Sequence, residues 1–150
     1  MNKKLLAVFA LLVVVVSMSA VSASFIDDLF GSKNTTVNVG GVNFTIPSDF
    51  KENNTIEQSK EIKLLKSEGH NLTYKCFIKG SDFYEIGVVK DKDNTLNKSA
   101  FEANKTTIGN QTGSMTVSKQ TVVFSYLKDN STAVIITSNN KENIEKLFKA

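Results

Sequence analysis

An α+β domain, built on a mainly antiparallel β-sheet with flanking helices, is the fold class that the sequence predicts for residues 36–150. Three observations carry it. Apolar and polar residues alternate through Leu72–Ile78 and Phe83–Lys90, the two-residue rhythm of a half-buried strand. Two largely apolar stretches, Gln120–Leu127 and Thr132–Ser138, flank a turn, as strands covered on both faces do. Before and after that pair, Thr95–Lys105 and the C-terminal segment space their apolar residues at three to four, the period of a helix.

The elements follow in chain order. Ser24–Lys33 sets Phe25, Ile26, Leu29 and Phe30 on one side, so residues 24–35 read as a short N-terminal helix or a tail. TVNVGGVNFTI (Thr36–Ile46) predicts a hairpin turning at Gly40-Gly41, with Val39 facing Val42 and Val37 facing Phe44. Pro47 removes a ladder donor and ends it. Lys51–Asn54 reads as a polar loop, and Lys60–Leu65 fits helix or strand, with the alternation of Ile62 and Leu64 favouring strand.

For the next pair, a two-residue turn at Gly80-Ser81 would set Cys76 against Glu85 and mix the faces. A three-residue loop, Gly80–Asp82, instead pairs Ile78 with Tyr84, Cys76 with Ile86 and Tyr74 with Val88, and the burial pattern selects it. Thr95–Lys105 is expected to be helical on Leu96, Ala100 and Ala103, with Phe101 beside them. Ile108 opens a strand-like stretch that GNQTG interrupts and Met115–Val117 resumes. An Asp129-Asn130 turn pairs Phe124 with Ile135, Tyr126 with Ala133 and Val123 with Ile136. Asn139-x-x-Glu142 has the form of a capping box for a last helix whose inner face is Ile144, Leu147 and Phe148.

Residues 1–23 read as a signal peptide. Lys3 and Lys4 precede an unbroken apolar run, Leu5–Val16, and Val21 and Ala23 fit the small-residue cleavage positions. No Cys follows, which excludes lipoprotein processing. The alternative is an uncleaved membrane anchor over Leu5–Val21, at the short limit of about 17–25 residues for a spanning helix. The expected location is therefore extracytoplasmic: secreted or at the cell surface.

All 18 basic residues are Lys, and cleavage would remove two of them. The remaining 16 Lys against 15 acidic residues lower the formal charge from +3 to 16 − 15 = +1. Without Arg there is no bidentate fork for phosphate or guanine, so nucleic acid is not an expected partner. One Cys and one His exclude an internal disulfide framework, a Cys-based zinc site and two-histidine chemistry.

The glycan-acceptor pattern N-x-S/T occurs at Asn34, Asn43, Asn53, Asn71, Asn97, Asn104, Asn110 and Asn130, eight of the 15 asparagines. With 28 Ser and Thr in 150 residues, chance placement gives about 3. Asn content drawn from a biased genome is the alternative source, but it accounts for the number of asparagines better than for their spacing. All eight positions are expected in loops, turns, element ends or on the polar face of the first hairpin.

From Val42 onward the order of elements resembles the Mog1/PsbP-like group of α/β sandwich domains. The residues that carry the likeness are FTIPSDF (Phe44–Phe50), GVV (Gly87–Val89), Ile108-Gly109, the VVFSY and AVIIT hairpin and a closing helix, over roughly Thr36–Phe148. The resemblance implies a sandwich fold and an accessory or binding role, and it brings no shared catalytic residues.

Reactive clusters are few. Cys76 with His70 could form a nucleophile and base, but Cys76 falls on an apolar strand face, where a thiol is a small core residue. Asp91-x-Asp93 begins like a calcium loop, yet Leu96 stands where that loop needs Gly, and only Glu102 matches its end. Asp27 with Asp28, or Glu142 with Glu145, read as solvated carboxylates, and Gly40-Gly41 and Gly109–Gly113 as turns. No catalytic residue, metal ligand or cofactor is expected. The sequence thus points to a secreted or envelope-associated, non-catalytic binding or accessory protein with an envelope or extracellular partner. The alternatives are a small secreted hydrolase whose carboxylates converge only in the fold, and an apolar-ligand carrier.

Overall fold

The computed structural model describes residues 34–53, 71–91 and 98–149. Within them the chain forms β1 (Thr35–Val39), β2 (Val42–Ile46), β3 (Lys51–Glu52), β4 (Asn71–Lys79), β5 (Asp82–Lys90), β6 (Lys105–Ile108), β7 (Gln111–Val117), β8 (Val122–Asp129) and β9 (Thr132–Ser138), followed by the helix α1 (Lys141–Lys146). β1 and β2 make a two-stranded ribbon. The other strands form a seven-stranded sheet, ordered β3-β4-β5-β9-β8-β7-β6 and antiparallel at every ladder.

The ribbon forms because every second residue of its strands is apolar and its turn is glycine. Gly40 and Gly41 both take positive φ, 56° and 87°, a conformation a two-residue I′ turn needs and side chains resist. Val39 pairs with Val42 and Val37 with Phe44, as the sequence predicts. The turn also lies tight against the sheet: a Cβ on Gly40 would stand 2.8 Å from the Cβ of Val88.

Two apolar layers sandwich the large sheet. Tyr84, Ile86, Val88, Phe124, Val134 and Ile136 face the ribbon and α1, meeting Val39, Phe44, Ile46, Ile144 and Leu147. Leu72, Tyr74, Cys76, Val89, Val123 and Ile135 face the other way and pack with Phe101. The central strands β5 and β9 are therefore apolar on both faces, which explains the absence of alternation in Val134–Ile136.

This architecture corrects the α+β expectation. Strand dominates, and the helical content among the described residues is α1 and a single 3-10 turn at Lys98–Phe101. The layer over the first face is chiefly a β-ribbon where a helix was expected. Of the helix expected over Thr95–Lys105, residues 95–97 lie outside the described residues, and the described part is a 3-10 turn after which Asn104 adopts φ 51°. Lys105 then opens β6, where Thr106 and Thr107 suit a pleated edge. Phe101 anchors the turn by filling the second core.

Two registers also differ from expectation. β4 and β5 join through the two-residue Gly80-Ser81 turn, with Gly80 at φ 57° in its first central position, the II′ pattern. Ile78 therefore pairs with Phe83 and Cys76 with Glu85. In β8–β9, Asp129 pairs with Thr132 and an irregularity between Leu127 and Asp129 shifts the ladder. Phe124 consequently meets Ile136 and Tyr126 meets Val134.

Smaller corrections follow. Lys51 and Glu52 pair with Ile78 and Phe77 as a short edge strand, where a loop was expected. The α1 cap is Asn140, one residue after the predicted Asn139, and its side chain accepts the Asn143 N–H at 2.8 Å. The signal segment and Lys60–Leu65 lie outside the described residues, as do residues 24–33 of the helix or tail expected over 24–35, whose last residue, Thr35, opens β1.

Candidate functional site

The acceptor asparagines occupy a consistent setting. Asn34, Asn43, Asn71, Asn104, Asn110 and Asn130 are exposed, Asn53 is half-buried, and Asn97 lies outside the described residues. The atom that N-glycosylation modifies is the side-chain amide nitrogen. Among the described residues, none of the six exposed acceptors donates a hydrogen bond from it. Where their carboxamides are held, they are held by the oxygen: Asn43 accepts from Asn38 at 2.7 Å, Asn130 from Lys98 at 2.8 Å and Asn110 from Gln111 at 3.3 Å.

Asparagines outside the pattern behave differently. Asn38 donates to Asn43, Asn139 to Asp82 and the Ser81 carbonyl, and Asn143 to Asn139. Asn143 is buried, and Asn140 caps α1. Asn38, Asn139 and Asn143 thus donate from their amide nitrogens, whereas Asn140 acts through its oxygen alone.

Strand pairing sorts the acceptors in space. Asn71 opens β4 opposite Lys90, Lys90 pairs with Thr132 beside Asn130, and Asn110 turns β6 into β7 at the same end of the sheet. The opposite end carries a polar cleft of about 390 Å³. The turn after Pro47 supplies Asp49, the β4–β5 turn supplies Lys79 and Asp82, and α1 and the residues after it supply Asn143, Lys146 and Lys149. Asn34 borders this cleft as well.

Lys79 forms an ion pair with Asp49, and Asp82 accepts from Asn139 at 2.9 Å. The second Asp49 oxygen is buried without a partner, as is the hydroxyl of Tyr84, against whose ring Phe50 packs at 4.5 Å. Burial, and then the charges of Asp49 and Asp82, push the Tyr84 phenol above its ordinary pKa and keep it a donor. Lys79 is engaged with Asp49, so Lys146 and Lys149 against Asp82 leave the lining one positive charge in excess, which favours anions.

A second polar cluster went unseen in the sequence. Glu85 is 2% exposed, lies across from Cys76 on one side and Thr137 on the other, and shares its face with Tyr74. Burial raises its carboxyl from 4.5 to about 7; the nearby Tyr74 hydroxyl offsets part of that rise. The two do not close a hydrogen bond, because Tyr74 Oη and Glu85 Oε2 both lack a partner, as does Thr137 Oγ1. Burial therefore governs this acid. The legible signal was the Gly80-Ser81 turn, whose register carries Glu85 inward.

Of the other sequence candidates, Cys76 is buried and its thiol is pushed up to about 12, first by burial and then by Glu85. His70, Asp27, Asp28 and Asp93 lie outside the described residues. Asp91 gives its N–H to the Ser131 carbonyl, and Glu145 pairs with Lys141 on the surface of α1. Among the described residues, no three His, Cys, Asp or Glu side chains converge to hold a metal, and no helix is long and apolar enough to cross a membrane. Comparison of the chain with protein-family models, curated proteins and solved structures finds no match.

Proposed function

We propose that this is an extracytoplasmic, N-glycosylated, non-catalytic binding or accessory domain, secreted or held at the cell envelope. The observation that carries the reading is the division of the asparagines: the exposed acceptors leave their amide nitrogens undonated, whereas Asn38, Asn139 and Asn143 spend theirs inside the fold. Acceptors of this kind are used on the secretory route, which agrees with the apolar leader at residues 5–16. The binding surface is the lysine-rich cleft, at the end of the sheet away from Asn71, Asn110 and Asn130. Asp49 and Asp82 are the pair a carboxylate hydrolase would use. Both are already engaged by Lys79 and Asn139, which favours binding over hydrolysis.

The test is the intact mass of the native protein. The expected species begins at Ser24 and exceeds the mass of residues 24–150 by whole sugar residues. Secreted material with the unmodified 24–150 mass would refute glycosylation. For the cleft, Lys79→Glu with Lys146→Glu is expected to abolish retention of the protein on its native envelope fraction. Undiminished retention would remove the cleft from the reading.

A further inference from the structure

The outward pleat of β2 sets Asn43 and Thr45, acceptor and hydroxyl of one N-x-T pattern, on the same wall of a groove of about 400 Å³. That volume lies in the range of pockets that hold small ligands. Val42, Tyr126, Leu147 and Phe148 make its apolar lining. Phe148 is packed on both sides. Phe148 stands edge-on to Phe124 and Tyr126 at 6.0 and 5.9 Å, and the β6–β7 turn presses on it where a Cβ at Gly109 would come within 2.7 Å.

The Asn43 carboxamide is oriented as well. Asn38 accepts the Gly41 N–H at 3.0 Å and donates to the Asn43 oxygen at 2.7 Å, so the Asn43 nitrogen is the end left undonated. Asn110 also borders the groove, but it sits on a turn, and the hydroxyl of its own pattern, Thr112, is engaged across the ladder with Thr107 at 2.9 Å.

We infer that this groove seats the first sugar of a chain N-linked to Asn43, an inference that rests on the glycosylation reading above. A pyranose has an apolar C–H face that packs on aromatic rings and hydroxyls that take polar partners, and the groove lining offers Phe148 for the one and Gln111 and Lys128 for the other. In the transfer step the Asn43 nitrogen bonds to the anomeric carbon of an activated sugar-phosphate donor. The bond from that carbon to the phosphate oxygen breaks, the phosphate leaves with the electron pair, and the amide gives up one proton.

The experiment uses the full chain made in its native host, with glycopeptide mapping, thermal unfolding and hydrogen exchange. Asn43 is expected to carry sugar. Asn43→Gln should lower Tm by about 4 °C and speed exchange in residues 145–149. Thr45→Val, which spares the Asn38–Asn43 bond while destroying the acceptor pattern, should do the same. In protein made without glycosylation Thr45→Val should not move Tm and Asn43→Gln should move it only by the lost Asn38–Asn43 bond, so the remainder of the effect is a coupling to the sugar. An unmodified Asn43 beside sugars at other acceptors would overturn the seat and leave the glycosylation reading standing. A chain bare at every acceptor would overturn both. A glycosylated Asn43 whose removal changes neither Tm nor exchange would overturn the docking alone.

Discussion

Cys76 and Glu85 are cross-strand partners on the same face of β4 and β5, so the charge of a buried carboxylate bears on the ionisation of the lone thiol. The carboxylate makes the thiol harder to ionise, on a face that Leu72, Val89 and Ile135 also fill.

Stability should fall as pH rises through the Glu85 titration. The folded state holds this proton more tightly than the unfolded chain, because the carboxyl moves from 4.5 to about 7 on burial. Its contribution is complete below pH 4.5, is lost progressively up to about pH 7 and is absent above it. That displacement corresponds to about 3 kcal/mol. Glu85→Gln should flatten the slope and leave the protein more stable at pH 8, as urea unfolding at pH 4.5 and 8 would show. A wild-type stability that rises over this interval would contradict the burial.

Gly113 and Gly80 should separate two costs of adding a methyl group. A Cβ on Gly113 would lie 2.1 Å from the Ser125 carbonyl oxygen, a backbone atom that moves only if β7 and β8 separate. Gly80 has open space around it but a φ of 57°. Gly113→Ala is expected to cost about 3 kcal/mol and Gly80→Ala about 1 kcal/mol in denaturant unfolding. Equal costs would mean that the β7–β8 spacing is looser than it stands here.

Local chemistry was legible in the sequence, and long-range chemistry was not. Gly40-Gly41 announces its turn because no other residue pair accepts two successive left-handed conformations so readily, and the acceptor asparagines announce themselves as a three-residue pattern. The β4–β5 register was misread because the alternation rule assumes that a carboxylate stays out of the core, and Glu85 does not. In β8–β9 both faces are apolar, so a one-residue slip sacrifices no burial, and the irregularity near Lys128 leaves no trace in the pattern. The cleft joins the turn after Pro47, the β4–β5 turn and the residues around α1, segments that only the fold brings together.

Asn140 should prove to be the residue that holds α1. The helix has six residues, too few to persist without tertiary support, and its first turn depends on the Asn140 oxygen receiving the Asn143 N–H. Asn140→Ala should cost about 1 kcal/mol, and Asn140→Ser should restore most of it. Hydrogen exchange at Asn143 reads the effect directly. No change there would place the cap elsewhere.

Cys76 should be chemically silent until the sheet opens. With the thiol pushed up to about 12, only about one molecule in ten thousand carries a thiolate at pH 8, and that sulfur is buried as well. Reaction with a disulfide reagent should therefore run through unfolding. Its rate should track the unfolded population as urea is added, and it should saturate only where the fold is lost. Glu85→Gln removes the carboxylate's share of the rise but leaves the burial, so its effect on native labelling should follow the change in stability and not the change in charge. Rapid labelling in the absence of denaturant would show that β4 opens on its own, and the second core would then be less closed than its packing indicates.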